Sequence, residues 1–469
     1  MVQTSVINDL LSAITDKSIF GERRKPKRAS RAVLIEMIDS LLSGRGEASS
    51  TDKATEFLRS YRDLDYAGRT FVFRTLASDY GADPEGLKFA AEAYLANPGQ
   101  STAKALQKAA EPRRVELFRR LNLVQGGMQA LVAMRLELME RIQNHADLWV
   151  VDDDLKRLFN AWFNRGFLVM KEIDWQTSAA ILEKIIRYEA VHAISDWEAL
   201  RRRIDVPDRR LFGFFHPRLG DEPLIFVEVA FTKEIPSAIG PILAKDRTPI
   251  PIEEATTAVF YSISNCQDGL RGISFGSFLI KQVVADLARE LPNLKTFVTL
   301  SPVPGFAGWL HREAGKTESA LTPAARDLIA RLDADAGWLD NADLAKEAES
   351  ALMPLLAHYL TIAKDAKGRA VDPVARFHLG NGARLERLDF GADRSERGMS
   401  GAYGMMVNYR YVLADVVKNH EAFVGEGVVA TTTAIQRLAR QVKVEEREVP
   451  KGLEMLPPAK PQPIKETAT

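Results

Sequence analysis

Residues Gly269 to Phe306, GLRGISFGSFLIKQVVADLARELPNLKTFVTLSPVPGF, constrain the fold more than any other stretch of this chain. Arg271 to Ser277 is a small-residue loop. Phe278 to Leu291 carries apolar residues at helical spacing, and Lys295 to Leu300 is rich in β-formers. Thr256 to Ser264, just upstream, reads as another strand. The order is therefore strand, loop, helix, strand, and then Ser301 in the turn Ser-Pro-Val-Pro-Gly-Phe. Each proline fixes φ and removes a donor, so Ser301 is expected at a stiff strand end. Such a unit commits this part of the chain to a sheet with a covering helix.

A helix N-terminus after small residues offers unpaired backbone N–H groups and a partial positive charge, which suits an anion. Gly272, Ser274, Gly276 and Ser277 permit close backbone approach, Ile273 and Phe275 sit between them, and Arg271 adds a fixed cation. The spacing Arg271-x-x-Ser274-x-Gly276 resembles the pyrophosphate loop of the GNAT acyltransferases, with serine where their first glycine would stand. Neither a GxGxxG fingerprint nor a GxxxxGK[ST] loop occurs.

The 469 residues are enough for two or three domains. With 63 basic and 63 acidic side chains the net charge is zero, which speaks against broad electrostatic binding to nucleic acid or an anionic membrane. The single cysteine, Cys266, leaves no internal disulfide, and the cytoplasm is the expected compartment. No apolar run approaches the roughly 20 residues of a membrane span, and no secretory leader pattern is evident. The basic run Arg23 to Arg28 is read as a solvated linker.

Residues 1–160 read as a helical bundle domain, with helices at 32–42, 55–64, 69–79, 84–95, 102–110, 115–123 and 128–143. Its expected work is packing and self-association, as a dimer or tetramer. From 161 to 443 the pattern is mixed. Arg210 to Phe215 and Leu224 to Phe231 read as an antiparallel strand pair, while 308–332 and 341–363 read as helix. Leu385 to Leu413 holds many glycines among Asp393, Arg394, Arg397, Asn408 and Arg410, and is expected to be a site-forming loop. Residues 444–469 are charged, proline-rich and expected to be disordered. The fold class is α+β: an all-α domain, then a mixed α/β domain.

Four stretches together resemble malonyl-CoA decarboxylases: Ala258 to Ser264, Gly269 to Phe306, His378-Leu-Gly-Asn-Gly-Ala383, and Arg397 to Tyr411 with its Asn-Tyr-Arg-Tyr end. The resemblance covers residues 150–425 well, weakly so over Trp162 to Trp197. It implies a GNAT-like catalytic domain that turns malonyl-CoA into acetyl-CoA and CO2. No metal or redox cofactor is implied, coenzyme A being part of the substrate. It implies Ser301 and His378 as the catalytic pair and Arg271 to Ser277 as the coenzyme A loop. Two departures stand out. Mammalian members carry Glu at the position of Ser274, and animal forms end in a peroxisomal Ser-Lys-Leu where this chain ends Glu-Thr-Ala-Thr.

The chemistry is consistent with those residues. Loss of CO2 from a malonyl thioester leaves an enolate, which needs donors for its oxygen and an acid for its α-carbon. Histidine suits proton traffic near neutrality. Of the seven histidines, His378 is singled out by the Asn381-Gly382 that follows it, and His192 is read as structural. Asp393 is expected either to orient His378 or to pair with Arg394 or Arg397. Tyr411 is expected either to donate to the acyl group or to be a buried aromatic with a satisfied hydroxyl. Asn381 is a supporting residue. Two other readings stand beside the decarboxylase. One is an acyltransferase, which would require an acceptor groove and a base for an amine. The other is an acyl-CoA-binding scaffold, which would need neither Ser301 nor His378.

Overall fold

A computed structural model describes residues 31–43, 47–273, 279–316, 318–442 and 445–446. It divides into two compact units. One comprises Met1–Ala161 with Gly269–Gly272, the other Trp162–Asp268 with Ile273–Thr469. The excursion of four residues into the helical unit has no counterpart in the sequence reading.

The helical unit contains α1 (Arg31–Ser43), α2 (Glu47–Arg62), α3 (Tyr66–Ser78), α4 (Pro84–Ala96), α5 (Gln100–Ala110), α6 (Arg113–Leu123), α7 (Gly127–Ile142) and α8 (Trp149–Trp162). Of the first seven, six fall close to the expected spans, while α2 begins at Glu47, well before the expected Thr55. Asp65 and Asp83 cap α3 and α4 by accepting N–H bonds from Gly68 and Gly86, and Pro84 occupies a first-turn position where no donor is needed. The apolar stripe Leu34, Ile38 and Leu41 is buried, as are Phe57, Phe73, Phe118 and Leu131.

The second unit is built on an eight-stranded sheet. Its strands and helices run β1 (Val169–Glu172), α9 (Ala179–Tyr188), α10 (Trp197–Ile204), β2 (Arg209–Phe215), β3 (Pro223–Thr232), β4 (Thr257–Asn265), α11 (Leu279–Glu290), β5 (Thr296–Thr299), β6 (Ser301–Pro302), α12 (Phe306–Ala314), β7 (Glu318–Ser319), α13 (Pro323–Ala334), α14 (Ala342–Thr361), α15 (Pro373–Gly380), β8 (Arg384–Asp389), α16 (Glu396–Ala402), β9 (Met406–Arg410) and α17 (Val416–Glu426). The order is β1-β2-β3-β4-β5-β9-β6, with β8 also on β9. All its pairs are antiparallel except β4 with β5, which are parallel across the crossover helix α11. This is the expected helical domain followed by a mixed α/β domain.

Ile181, Leu182, Ile185, Leu200 and Ile204 of α9 and α10 pack on Leu211, Phe215 and Phe226. Val298 and Leu300 join a second cluster with Val259, Tyr261 and Met406. Strand alternation then turns Thr299 and Ser301 to the opposite face.

Two expectations are corrected. Leu385 to Leu413 is not a loop. It forms β8, α16 and β9, and β9 lies inside the sheet between β5 and β6. Its glycines serve close packing: a Cβ on Gly398 would lie 2.4 Å from the Asp393 carboxyl carbon, and Gly404 has φ 75°. Residues 308–332 are likewise not one helical run, since β7 separates α12 from α13. Of the tail, Glu445–Glu446 pair antiparallel with β7, and the remainder lies outside the described residues, as do Arg23 to Arg28.

Candidate active site

Ser301 and His378 are 77 residues apart, and the sheet brings them together. Ser301 Oγ lies 3.1 Å from His378 Nε2. Ser301 pairs with Val407 across β6 and β9, while His378 sits in α15. Both side chains are buried.

Further partners fix the pair. The Ser301 hydroxyl donates to Thr299 Oγ1 at 2.9 Å, and Thr299 Oγ1 also accepts the Tyr409 N–H. Asn408 Nδ2 donates to the Thr299 carbonyl at 2.8 Å. On the far side of the imidazole, His378 Nδ1 is 2.9 Å from the Tyr411 hydroxyl. The ring stacks on Tyr409 with centroids 4.7 Å apart. Tyr409 and Tyr411 lie two residues apart along the chain, as do Thr299 and Ser301, so alternation delivers both pairs to one face.

Burial alone pushes His378 down to about 3, because no carboxylate touches it and removing the ring from water disfavours the cation. Burial likewise holds Tyr411 well above the ordinary phenol value, so it keeps its proton. A neutral imidazole carries one N–H. With Tyr411 donating to Nδ1, that proton is on Nε2 and points at Ser301 Oγ, whose own proton goes to Thr299. The tautomer follows from these partners.

Asp372 is a positioning residue the sequence reading did not name. Its carboxylate caps α15 through the Val374 and Ala375 N–H groups at 2.9 Å each. It also accepts the Tyr359 hydroxyl at 3.2 Å and the Gly305 N–H at the end of the proline turn. One buried carboxylate thus ties the Ser301 turn to the His378 helix. Gly305 leaves no room for a side chain, since a Cβ would lie 2.5 Å from the Tyr359 hydroxyl. The signal was present in the sequence: Asp372-Pro373 before an apolar run is a helix-start pattern.

The other expected residues fall as follows. Asn381 ends α15, its N–H reaching the Phe377 and His378 carbonyls and its amide the Phe377 carbonyl. Asp393 does not orient His378, nor does it pair with an arginine. It accepts the Ser395 N–H at 3.0 Å, while Arg394 pairs with Asp340 and Arg397 reaches the Ala190 carbonyl. The place facing His378 Nδ1 is taken by Tyr411, whose hydroxyl is spent there rather than left toward an acyl group. Asn408 and Arg410 are strand residues, the latter facing Glu386. His192 is partly buried, and its N–H bonds Glu189. Arg271 is exposed, Gly272 has φ 79° and Ile273 is buried. Ser274, Phe275, Gly276 and Ser277 lie outside the described residues. Among the described residues no cluster of three His, Cys, Asp or Glu could hold a metal ion, and no helix is long and apolar enough to cross a membrane.

Residues 166–449 match the family model of the malonyl-CoA decarboxylase C-terminal domain, and 80–163 that of its N-terminal domain. The chain belongs to the malonyl-CoA decarboxylase family. It is 37% identical over 408 residues to a goose protein named malonyl-CoA decarboxylase, mitochondrial, with 80% of each chain covered. A rat protein of the same name is 32% identical over 84% of this chain and 86% of its own. The crystal structure of malonyl-CoA decarboxylase from Rhodopseudomonas palustris superposes with a TM-score of 0.84 at 53% identity, covering 87% of this chain and 100% of that one. That from Agrobacterium vitis gives 0.83 at 52%, covering 86% and 99%. The family is one of carboxy-lyases, and its two-domain order is that of this chain.

Proposed function

We propose that this chain decarboxylates malonyl-CoA to acetyl-CoA and CO2, with Ser301 and His378 as catalytic residues. The observation that carries the reading is the buried series Thr299, Ser301, His378, Tyr411, in which the imidazole is neutral and its N–H faces the serine.

In this reading the bond between the malonyl carboxylate and the α-carbon breaks, and its electron pair moves into the thioester carbonyl. The sink is the substrate's own carbonyl, so the step balances without a redox partner. Ser301 exchanges Thr299 for the developing enolate oxygen, and such a donor contributes about 3 kcal/mol. His378 Nε2–H then protonates the α-carbon. A neutral imidazole is a weak acid, but an enolate α-carbon is a strong base, and the Tyr411 O–H, which stays protonated, steadies the ring by donating to Nδ1 while solvent restores the proton that Nε2 gives up. One proton is taken from solvent per turnover. A buried site without a carboxylate next to the histidine also avoids repelling the anionic substrate.

The test is acetyl-CoA formation from malonyl-CoA by the wild type, Ser301→Ala and His378→Asn. We expect turnover in the wild type and kcat losses of about 100- to 1,000-fold for each variant, with folding intact. Turnover that survives both changes would remove this pair from the mechanism. A wild type that binds coenzyme A without releasing CO2 would refute the decarboxylase.

A further inference from the structure

The second unit holds a small basic cavity that takes no part in the chemistry above. Arg202, Arg203, Arg209, Lys245 and Arg247 line it together with Tyr261, and no acidic side chain does. Tyr261 packs with Val298 and Leu300, so the cavity is on the face of the sheet opposite Thr299 and Ser301. It holds about 190 Å³. That is well below the roughly 300 Å³ at which sites for drug-sized molecules begin, which leaves room for a small ion and none for a nucleotide.

Five cations around so small a space need compensation, and the protein supplies only part of it. Asp208 is shared: it accepts both Arg247 Nη groups, at 2.6 and 2.8 Å, and lies 3.4 Å from Arg209. Glu228 takes Arg203 Nη1 at 3.0 Å, but burial lifts this carboxyl above its usual value and weakens it as a counter-charge. Glu198 is 3.6 Å from Arg202. Lys245 is exposed, reaches Asp196 only through space and forms no ion pair among the described residues. Burial, with the nearby Arg247 charge, holds Arg209 below the usual guanidinium value.

The donors are incompletely used as well. Arg203 gives Nη2 to the Ala193 carbonyl, and Arg209 gives Nη1 and Nη2 to the Asp208 and Ile242 carbonyls. Those bonds fix both guanidiniums, whose side chains are only 10% and 4% exposed. Neither Nε–H has a partner among the described residues. Fixed arginine forks with a spare donor are the groups that recognise oxyanions.

We propose that this cavity binds a small dianionic oxyanion, of the phosphate or short dicarboxylate class. Lys245 and Arg202 meet it from the exposed side, Arg203 and Arg209 from the buried side. Bound there, it joins α10 to residues 242–247, and Ile242 and Leu243 pack in turn with Val298 and Leu300. The inference stands apart from the decarboxylase reading, because nothing in the cavity touches Ser301 or His378.

The experiment is calorimetric titration of the full chain with inorganic phosphate and with succinate, chloride holding the ionic strength constant. One site per chain is expected, with Kd below about 1 mM for at least one of the two. Tighter phosphate assigns the phosphate class, and tighter succinate the dicarboxylate. Lys245→Gln with Arg202→Gln leaves the buried Arg203 and Arg247 pairs intact and should weaken the site about tenfold or more. Urea unfolding of that variant without the anion should match the wild type, so that misfolding does not explain the loss. Arg289→Gln removes an exposed charge from α11 and should leave Kd within about twofold. Absence of saturable binding of either anion by the wild type would overturn the proposal. So would a Kd unchanged in the double variant, or one weakened as much by Arg289→Gln, which would mark a general effect of net charge.

Discussion

The pH dependence of turnover separates a neutral histidine from a charged one. With His378 held down to about 3, its charged fraction is about 1% or less at any pH above 5. A mechanism that used the imidazolium as the acid would run on that small fraction and fall about tenfold for each pH unit gained. The neutral N–H mechanism uses the form that fills the site. It predicts log kcat at saturating malonyl-CoA that is flat to within about threefold from pH 5.5 to 8.5. The assay is acetyl-CoA formation in buffers of constant ionic strength, with His378→Asn run in parallel. A falling limb centred between about pH 6 and 7.5 in the wild type and absent from His378→Asn would assign an ordinary histidine titration to the step, and the argument from burial would be wrong. A limb of the same shape in both proteins would come from another group and leave the neutral histidine standing.

The same burial makes a prediction for stability. The folded chain binds fewer protons at His378 than the unfolded chain between its folded value of about 3 and the ordinary value near 6.5. Stability is therefore complete above about 6.5 and declines as the pH falls, by up to about 1.4 kcal/mol per unit. Urea unfolding at pH 6.5 and 4.5 should show the wild type losing about 2–3 kcal/mol more than His378→Asn, and equal losses would contradict the buried neutral ring. Tyr411→Phe leaves Nδ1 without its donor. It should lower kcat by about 10- to 100-fold, on the order of 1–3 kcal/mol, with KM for malonyl-CoA little changed. Asp372→Ala removes a helix cap and the tie to Gly305 together, so it should cost about 1–3 kcal/mol in thermal or urea unfolding and also lower kcat. Gly382→Ala places a Cβ 2.1 Å from the Val416 carbonyl at a φ of 79°, just beyond α15, and should destabilise by more than about 1 kcal/mol. A fully stable Gly382→Ala would mean that this turn relaxes easily and does not hold the end of the His378 helix.

Much of the fold was legible because it rests on local patterns. β2, β3 and β4 could be read from short β-rich runs, and the helical unit from 3.6-residue stripes broken by Gly, Pro and Asn. The stretch 385–413 was misread because glycine density there signals close backbone approach at Gly398 and Gly404 as well as it would signal a loop. Only the fold shows that β9 lies between two other strands. The site was legible in part for the same reason. Ser301 starts a recognisable proline turn and His378 lies near the end of a helix that runs into Asn381-Gly382, yet their partners are set by register. Thr299 and Ser301 share a face by alternation, as do Tyr409 and Tyr411, and both pairs were within reach of the period-two rule. Which of these side chains meets His378 Nδ1 depends on the pairing of β5, β6 and β9, and that pairing is not local. Orienting His378 was one of two roles the sequence left open for Asp393, since a carboxylate beside a histidine is a familiar arrangement. The fold puts a phenol there instead, and the exchange changes the chemistry. A carboxylate would have favoured an imidazolium, whereas a buried hydroxyl leaves the ring neutral with its proton on Nε2. The choice of Tyr411 over an acid therefore decides which proton His378 can give, and it does so through strand register rather than through any motif around the histidine itself.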